Sequence, residues 1–215
     1  EPVSFEGKRV AVIGTGSSGI QAIPEIAKEA AHVTVLQRTP QYAFPAGNRP
    51  ITPEEMADAR TNWDDLRAKM NANFGGFPHD NQARSTFEDT PEQREALYEE
   101  LWQRGGFQFF LDLYSDIAIS EEANQTLADF VRAKIQEIVH DPVTAQKLLP
   151  DYFVITKRPI LEDGYFETFN RDNVSLVDLR EDPIERFTNS SVITRSGEHP
   201  IDILVLATGY DAISG

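Results

Sequence analysis

The feature that most constrains this chain is a glycine-rich hexamer set between two β-branched runs. Arg9-Val-Ala-Val-Ile-Gly14 has the profile of a buried parallel strand ending in glycine. The apolar spacing after it predicts a helix from Ser17 to Glu29, with Ile20, Ile23, Ala27 and Ala30 on one face. Pro24 falls inside that helix, lacks an N–H, and should bend its second turn. A second strand is expected at residues 32–37, His-Val-Thr-Val-Leu-Gln. The three pieces form a βαβ unit of about 30 residues, the size a parallel crossover requires.

The hexamer itself, Gly14-Thr15-Gly16-Ser17-Ser18-Gly19, matches G-x-G-x-x-G. Alone such a match is weak and an ordinary glycine turn explains it. Following a strand and opening a helix, it reads as a dinucleotide phosphate loop. Gly14 permits the tight turn, Gly16 lets backbone approach a pyrophosphate, and Gly19 allows close helix–strand packing. Free N–H groups at the helix start then face negative charge, and Thr15, Ser17, Ser18 and Gln21 join the three glycines as expected cofactor-binding residues.

The end of the second strand selects the dinucleotide. A site for NAD places Asp or Glu there to hold the ribose 2′-hydroxyl. This chain offers Gln37-Arg38-Thr39-Pro40 instead. A carboxylate would repel a 2′-phosphate, whereas Arg38 can pair with it and Thr39 can donate a hydrogen bond. An arbitrary surface Arg is simply a solvated charge; at this position the pattern points to NADP(H).

The middle of the chain changes character. Thr52-Pro53-Glu54-Glu55 and Thr90-Pro91-Glu92-Gln93 have the form of capping boxes with proline at the first helical position. The second opens a helix bearing Leu97, Leu101 and Trp102 that stops at Gly105-Gly106. A third helix begins at Glu121-Glu122, carries the stripe Leu127, Phe130, Val131, Ile135 and Ile138, and is expected to end at Asp141-Pro142. Residues 50–150 therefore read as a helical insertion, with residues 74–89 a long loop. Strands return with residues 174–177, a hairpin or meander over residues 184–200, and residues 203–207, another parallel-strand run leading into Thr208-Gly209. The expected fold class is α/β: a Rossmann-like dinucleotide-binding domain with a parallel sheet, a β-meander and a helical insertion, spanning residues 1–215.

Composition narrows the function. The 215 residues are 40% hydrophobic with thirteen Phe, enough to supply a core. A net charge of −15 argues against nucleic acid, which needs a basic surface. Residues 51–150 hold 19 acidic and 9 basic residues, so the excess lies mostly in the insertion and the remainder is nearer balance. No apolar run approaches the ~20 residues of a membrane helix, and no secretory leader is evident. The absence of Cys suits a cytoplasmic protein. The start at Glu1 suggests that something precedes it in the natural protein. Gly7-Lys8 lacks the glycine of a P-loop, and the hexamer lacks G-x-S-x-G spacing. His32, His79, His140 and His199 are scattered without metal-ligand spacing. Asp64-Asp65 and Glu99-Glu100 read as solvated helix faces.

Several blocks, in order, resemble the NADPH-binding domain of Baeyer–Villiger monooxygenases, the FAD-dependent class B flavoprotein family. They are the opening from Phe5 to Gly19; Val35-Leu-Gln-Arg-Thr-Pro-Gln-Tyr42; Thr156-Lys-Arg-Pro159; Tyr165-Phe-Glu-Thr-Phe-Asn170; Asp172-Asn-Val174; and Ala207-Thr-Gly-Tyr-Asp211. The resemblance implies that Arg38, Thr39 and Lys157 hold the 2′-phosphate. It further implies that Arg158 is catalytic, reaching flavin and nicotinamide, where NADPH reduces FAD and a peroxyflavin oxygenates a ketone with O2. Without the resemblance, Lys157-Arg158-Pro159 is only a basic loop. Ala207, Thr208 and Gly209 resemble the family's crossing to its FAD-binding domain. The chain departs from the whole family pattern: it has one glycine motif where two are expected, and no Phe/Gly/His/Trp signature before Phe5. It is thus expected to bind NADP(H) without flavin and to be inactive alone, its partner being its own FAD-binding domain. A sister monooxygenase acting on amines or sulfides, and a non-catalytic NADP-binding redox module, share the glycine loop. The Lys-Arg-Pro block and the helical insertion favour ketone oxygenation over the first; the second would need no Arg158 near a flavin and no second glycine motif.

Overall fold

In a computed structural model, the structure describes residues 3–73, 75–77 and 84–209. The elements begin with β1 (Arg9–Ile13), α1 (Ser17–Glu29), β2 (His32–Gln37) and β3 (Ala43–Pro45). Among the described residues there follow the α-helices α2 (Pro53–Thr61), α3 (Trp63–Ala72), α4 (Pro91–Arg104), α5 (Gln108–Leu111), α6 (Glu121–Ile138) and α7 (Pro142–Leu148). The chain returns through β4 (Ile160–Glu162), α8 (Tyr165–Thr168), β5 (Val174–Asp178), β6 (Ile184–Phe187), β7 (Ser191–Thr194), β8 (Gly197–Pro200) and β9 (Ile203–Leu206). It divides into two compact units, residues 1–44 with 128–215, and residues 45–127.

The first unit is built on a four-stranded parallel sheet in the order β5-β2-β1-β9. Val10, Ala11 and Val12 of β1 and Val33, Val35 and Leu36 of β2 are buried, as the unbroken apolar runs of a sheet covered on both faces require. Helix α1 covers one face through Ile20, Ile23, Ile26 and Ala27, and Pro24 is accommodated inside it. The strands at residues 174 and 203 stand at the two ends of this order; β9 is parallel to β1, as its sequence leads one to expect, and Leu206 at its end is 66% exposed. Asp202 ties β9 to β1, accepting from the Arg9 backbone N–H at 2.9 Å and pairing with its guanidinium at 2.7 Å. Strands β6, β7 and β8 form the antiparallel meander.

The second unit is helical. Both proline-led capping boxes form: Thr52 accepts from the Glu55 N–H and Thr90 from the Gln93 N–H. Helix α4 ends at Gly105, whose φ of 63° is left-handed and whose Cα faces the Gly47 backbone too closely for a side chain. Tyr98, Leu101, Phe109, Tyr114 and Ile117 are buried in this unit. Helices α2 and α3 bury no residue among those described. Of the expected loop at residues 74–89, Phe74 and residues 78–83, His79 included, lie outside the described residues, and Thr86–Glu88 is a 3-10 turn.

One expectation is corrected. Asp141-Pro142 does not end α6, which stops at Ile138; the Asp141 carboxylate accepts the Thr144 N–H at 2.9 Å and opens α7, with Pro142 at its first position. A proline that forbids one helix from continuing is equally suited to starting the next.

Glu162 closes β4 with 5% of its surface exposed and accepts the Tyr165 N–H at 2.5 Å at the start of α8. Burial pushes its carboxyl up to about 7 against the pull of that hydrogen bond, with Glu167 and Asp163 adding to the rise. The folded state therefore holds this proton more tightly than the unfolded chain, whose ordinary value is 4.5. The ionised carboxylate weakens the fold progressively as pH rises from about 4.5 to about 7, and fully above. We expect the stability difference between Glu162→Gln and the parent to move in the variant's favour by roughly 3 kcal/mol between mildly acidic and mildly alkaline buffer. Urea denaturation at both ends of that range measures it, and a difference that does not move contradicts the burial argument.

Candidate functional site

Strand β1 lies between β2 and β9 in parallel register, so the glycine loop after β1, the segment after β2 and the turn after β9 all leave the carboxyl ends of their strands on the same side of the sheet. In open α/β sheets this is where ligands bind. A cavity of about 470 Å³ occupies the place, lined by the loop from Ile13 to Ser18, by Leu36, Arg38, Thr39 and Gln41 after β2, and by Lys157, Leu179 and the Ala207–Gly209 turn.

Two glycines make this geometry possible. Gly14 has φ 104°, and a Cβ there would sit 2.4 Å from the Ala207 carbonyl oxygen. A Cβ on Gly19 would sit 2.1 Å from the Gly14 carbonyl oxygen, so Gly19 packs α1 against the strand end and does not itself line the cavity. Gly16 is different: a Cβ there meets nothing within 4 Å, leaving open space over the backbone at the helix start. No side chain caps α1 and no carboxylate occupies its first turn, so its leading N–H groups face the cavity side without a competing anion. The Thr15 hydroxyl donates to the Thr39 carbonyl at 2.9 Å and ties the glycine loop to the segment after β2.

The electrostatics of the cavity run against those of the chain. In a protein of net charge −15, the lining holds two cations, Arg38 and Lys157, and no carboxylate. Arg38 is exposed and has no ion-pair partner among the described residues. Other arginines are occupied: Arg9 by Asp202, Arg132 by Asp129, Arg180 by Asp178. Asp178, one residue before the lining Leu179, is itself neutralised. Burial works to raise its carboxyl, but Arg180, donating from its backbone and its guanidinium, outweighs this and holds it below the ordinary range. Gln37, where a carboxylate would stand in an NAD site, is fully buried and donates to the Lys147 carbonyl at 2.8 Å.

The residues singled out from sequence thus divide. Gly14, Thr15, Gly16, Ser17, Ser18, Arg38, Thr39, Lys157, Ala207, Thr208 and Gly209 come together around one cavity. Gln21 does not: its amide donates to the Leu161 carbonyl at 3.0 Å. Arg158 is exposed, outside the lining, with no ion pair among the described residues. Tyr210 and Asp211 of the last family-like block lie outside the described residues. Sequence reasoning missed Ile13, Leu36 and Leu179, an apolar wall at strand ends, and Gln41, which it quoted only as part of a longer segment. No group of three or more metal-ligating side chains gathers among the described residues, and no helix there is long and apolar enough to cross a membrane.

Over its whole length the chain is 42% identical to a Baeyer–Villiger monooxygenase of Pseudooceanicola batsensis, covering 40% of that protein. A cyclohexanone 1,2-monooxygenase of Acinetobacter sp is 43% identical over the whole chain, again with 40% of the relative covered. The solved structure of OTEMO in complex with FAD and NADP superposes with a TM-score of 0.94 at 39% identity, over 99% of this chain and 40% of that one. The chain is thus similar over its whole length to one part of Baeyer–Villiger monooxygenases, spanning about 40% of the length of the relatives it matches. A phenazine N-monooxygenase of Lysobacter antibioticus is as similar as the ketone-directed relatives, at 43% identity over 99% of the chain and 40% of that protein. No protein-family model matches the chain.

The helix–strand contact at Gly19 is testable directly. Gly19→Ala places a methyl group against backbone that cannot rotate aside, and should cost roughly 2–3 kcal/mol of folding stability in urea denaturation. A variant as stable as the parent would show that α1 sits farther from the strand.

Proposed function

We propose that residues 1–215 form the NADP(H)-binding domain of a flavin-dependent monooxygenase, with residues 50–150 an insertion within it, and that the complete enzyme converts ketones to esters or lactones. The observation that carries the cofactor assignment is the cavity with two unneutralised cations and no carboxylate in an otherwise acidic chain. A doubly anionic phosphate on the ribose suits such a lining, while a neutral 2′-hydroxyl would leave Arg38 without a purpose there. The N–H groups of Gly16 to Ser18 would hold the pyrophosphate, Arg38, Thr39 and Lys157 the 2′-phosphate, and the wall of Ile13, Leu36 and Leu179 the less polar parts of the adenosine.

The complete protein would pair this domain with its own FAD-binding domain and act in the cytoplasm on a small ketone and O2. Bound flavin supplies the oxygen-activating chemistry. Arg158, exposed and without an ion pair among the described residues, keeps its charge available for the negative charge that develops on oxygen during insertion; a guanidinium does so without surrendering a proton. The similarity to a phenazine N-monooxygenase supports a second reading, oxidation at nitrogen, since the same domain serves both kinds of relative. Turnover of a cyclic ketone against an N-heteroaromatic by the complete enzyme separates them.

Arg38→Ala should weaken NADPH binding by about 2 kcal/mol or more through loss of a charge-assisted pair, with little change for NADH. Titration of both cofactors checks this, and a parent that binds NADH and NADPH equally contradicts the assignment. In the complete enzyme, Arg158→Ala should keep NADPH affinity and lose oxygenation; normal turnover would remove Arg158 from the mechanism.

A further inference from the structure

Lys157 lines the cavity but is not held there by any carboxylate among the described residues. Its ammonium instead lies 4.0 Å from the centroid of the Tyr152 ring. The same tyrosine reaches a second lining residue: its hydroxyl donates to Gln41 Oε1 at 2.7 Å and accepts the Tyr42 N–H at 3.4 Å. The Tyr42 ring meets it edge-on at 5.2 Å, so ring and hydroxyl are both fixed. Burial pushes the Tyr152 hydroxyl up to about 12, which keeps it a neutral donor in ordinary buffers.

The chain between the two residues turns back on itself. Thr156 donates to the Phe153 carbonyl from its N–H at 3.3 Å and from its hydroxyl at 2.7 Å, and Val154 is buried. Ile155 has φ 75°, the only non-glycine in the left-handed region among the described residues, and a β-branched one. Such a conformation is costly and persists where its surroundings impose it. The turn brings residue 157 over residue 152. Neighbouring Asp151, the obvious competitor for the ammonium, lies 3.4 Å from Arg180.

We propose that Tyr152 is a positioning residue for 2′-phosphate selectivity, its ring holding the Lys157 ammonium at the cavity and its hydroxyl fixing Gln41. This rests on the cavity being an NADP(H) site. A free lysine loses rotamer freedom when it meets a phosphate. A carboxylate partner would order it beforehand but would also neutralise it and repel the incoming anion. The face of an aromatic ring orders it and leaves its charge and donors available.

The test compares binding of adenosine 2′,5′-bisphosphate and adenosine 5′-monophosphate to the full chain by calorimetry, in the parent, Tyr152→Leu and Tyr152→Phe. Tyr152→Leu should reduce the preference for the bisphosphate by about fivefold while leaving the monophosphate affinity nearly unchanged. Tyr152→Phe, which keeps the ring, should retain most of the preference. A Leu variant that keeps the parent's preference, or loses both ligands equally, overturns the proposal while the cofactor assignment stands. A parent with no preference overturns the cofactor assignment and this inference with it. Should Tyr152→Leu fail to fold, the parent alone decides: the Lys157 ε-methylene protons should be shifted upfield by the ring current, and ordinary shifts overturn the proposal.

Discussion

The site depends on two Cβ atoms that are absent. With side chains at positions 14 and 19, the Ala207 turn could not close over the glycine loop and α1 could not start against the end of β1, since both contacts would fall well inside van der Waals separation. Because those contacts exist, the first turn of α1, the end of β2 and the turn after β9 converge on a single crevice. The glycine loop, the Arg38 segment and the turn after β9 line one cavity because the backbone packs at glycine distances.

On that frame the cofactor choice is electrostatic. The chain carries a large acidic excess, yet no carboxylate lines the cavity, and Asp178, next to the lining Leu179, is bound to Arg180. The position that would carry an NAD-binding carboxylate holds Gln37, turned to a backbone carbonyl. What lines the cavity is positive, neutral polar or apolar. Excluding anions matters as much as supplying Arg38, because a nearby carboxylate would cancel most of what one guanidinium contributes.

Much of this was legible in the sequence where the signal is local. The strand–glycine–helix unit follows from β-branched runs and helical periodicity, and both capping boxes follow from threonine, proline and a polar residue at fixed offsets. Asp141-Pro142 was misread because the pair is compatible with stopping a helix and with starting one, and only packing decides. Gln21 stands one turn into α1, where position in the motif cannot reveal that its amide is drawn to a carbonyl 140 residues away. Tyr152 was invisible for the same reason: its hydroxyl partner Gln41 is 111 residues distant, and no local pattern marks a tyrosine whose ring faces a lysine across a turn. The edge positions of β5 and β9 were likewise hidden, since an apolar run of four or five residues reads the same at the edge of a sheet as in its middle.

A crystal structure of the protein with NADP⁺ bound tests the central claim most directly. The account predicts the pyrophosphate over the N-terminus of α1 and the 2′-phosphate within hydrogen-bond distance of the Arg38 guanidinium and the Lys157 ammonium. A bound cofactor whose phosphorylated ribose lies away from both cations, with Arg38 turned to solvent, would contradict it.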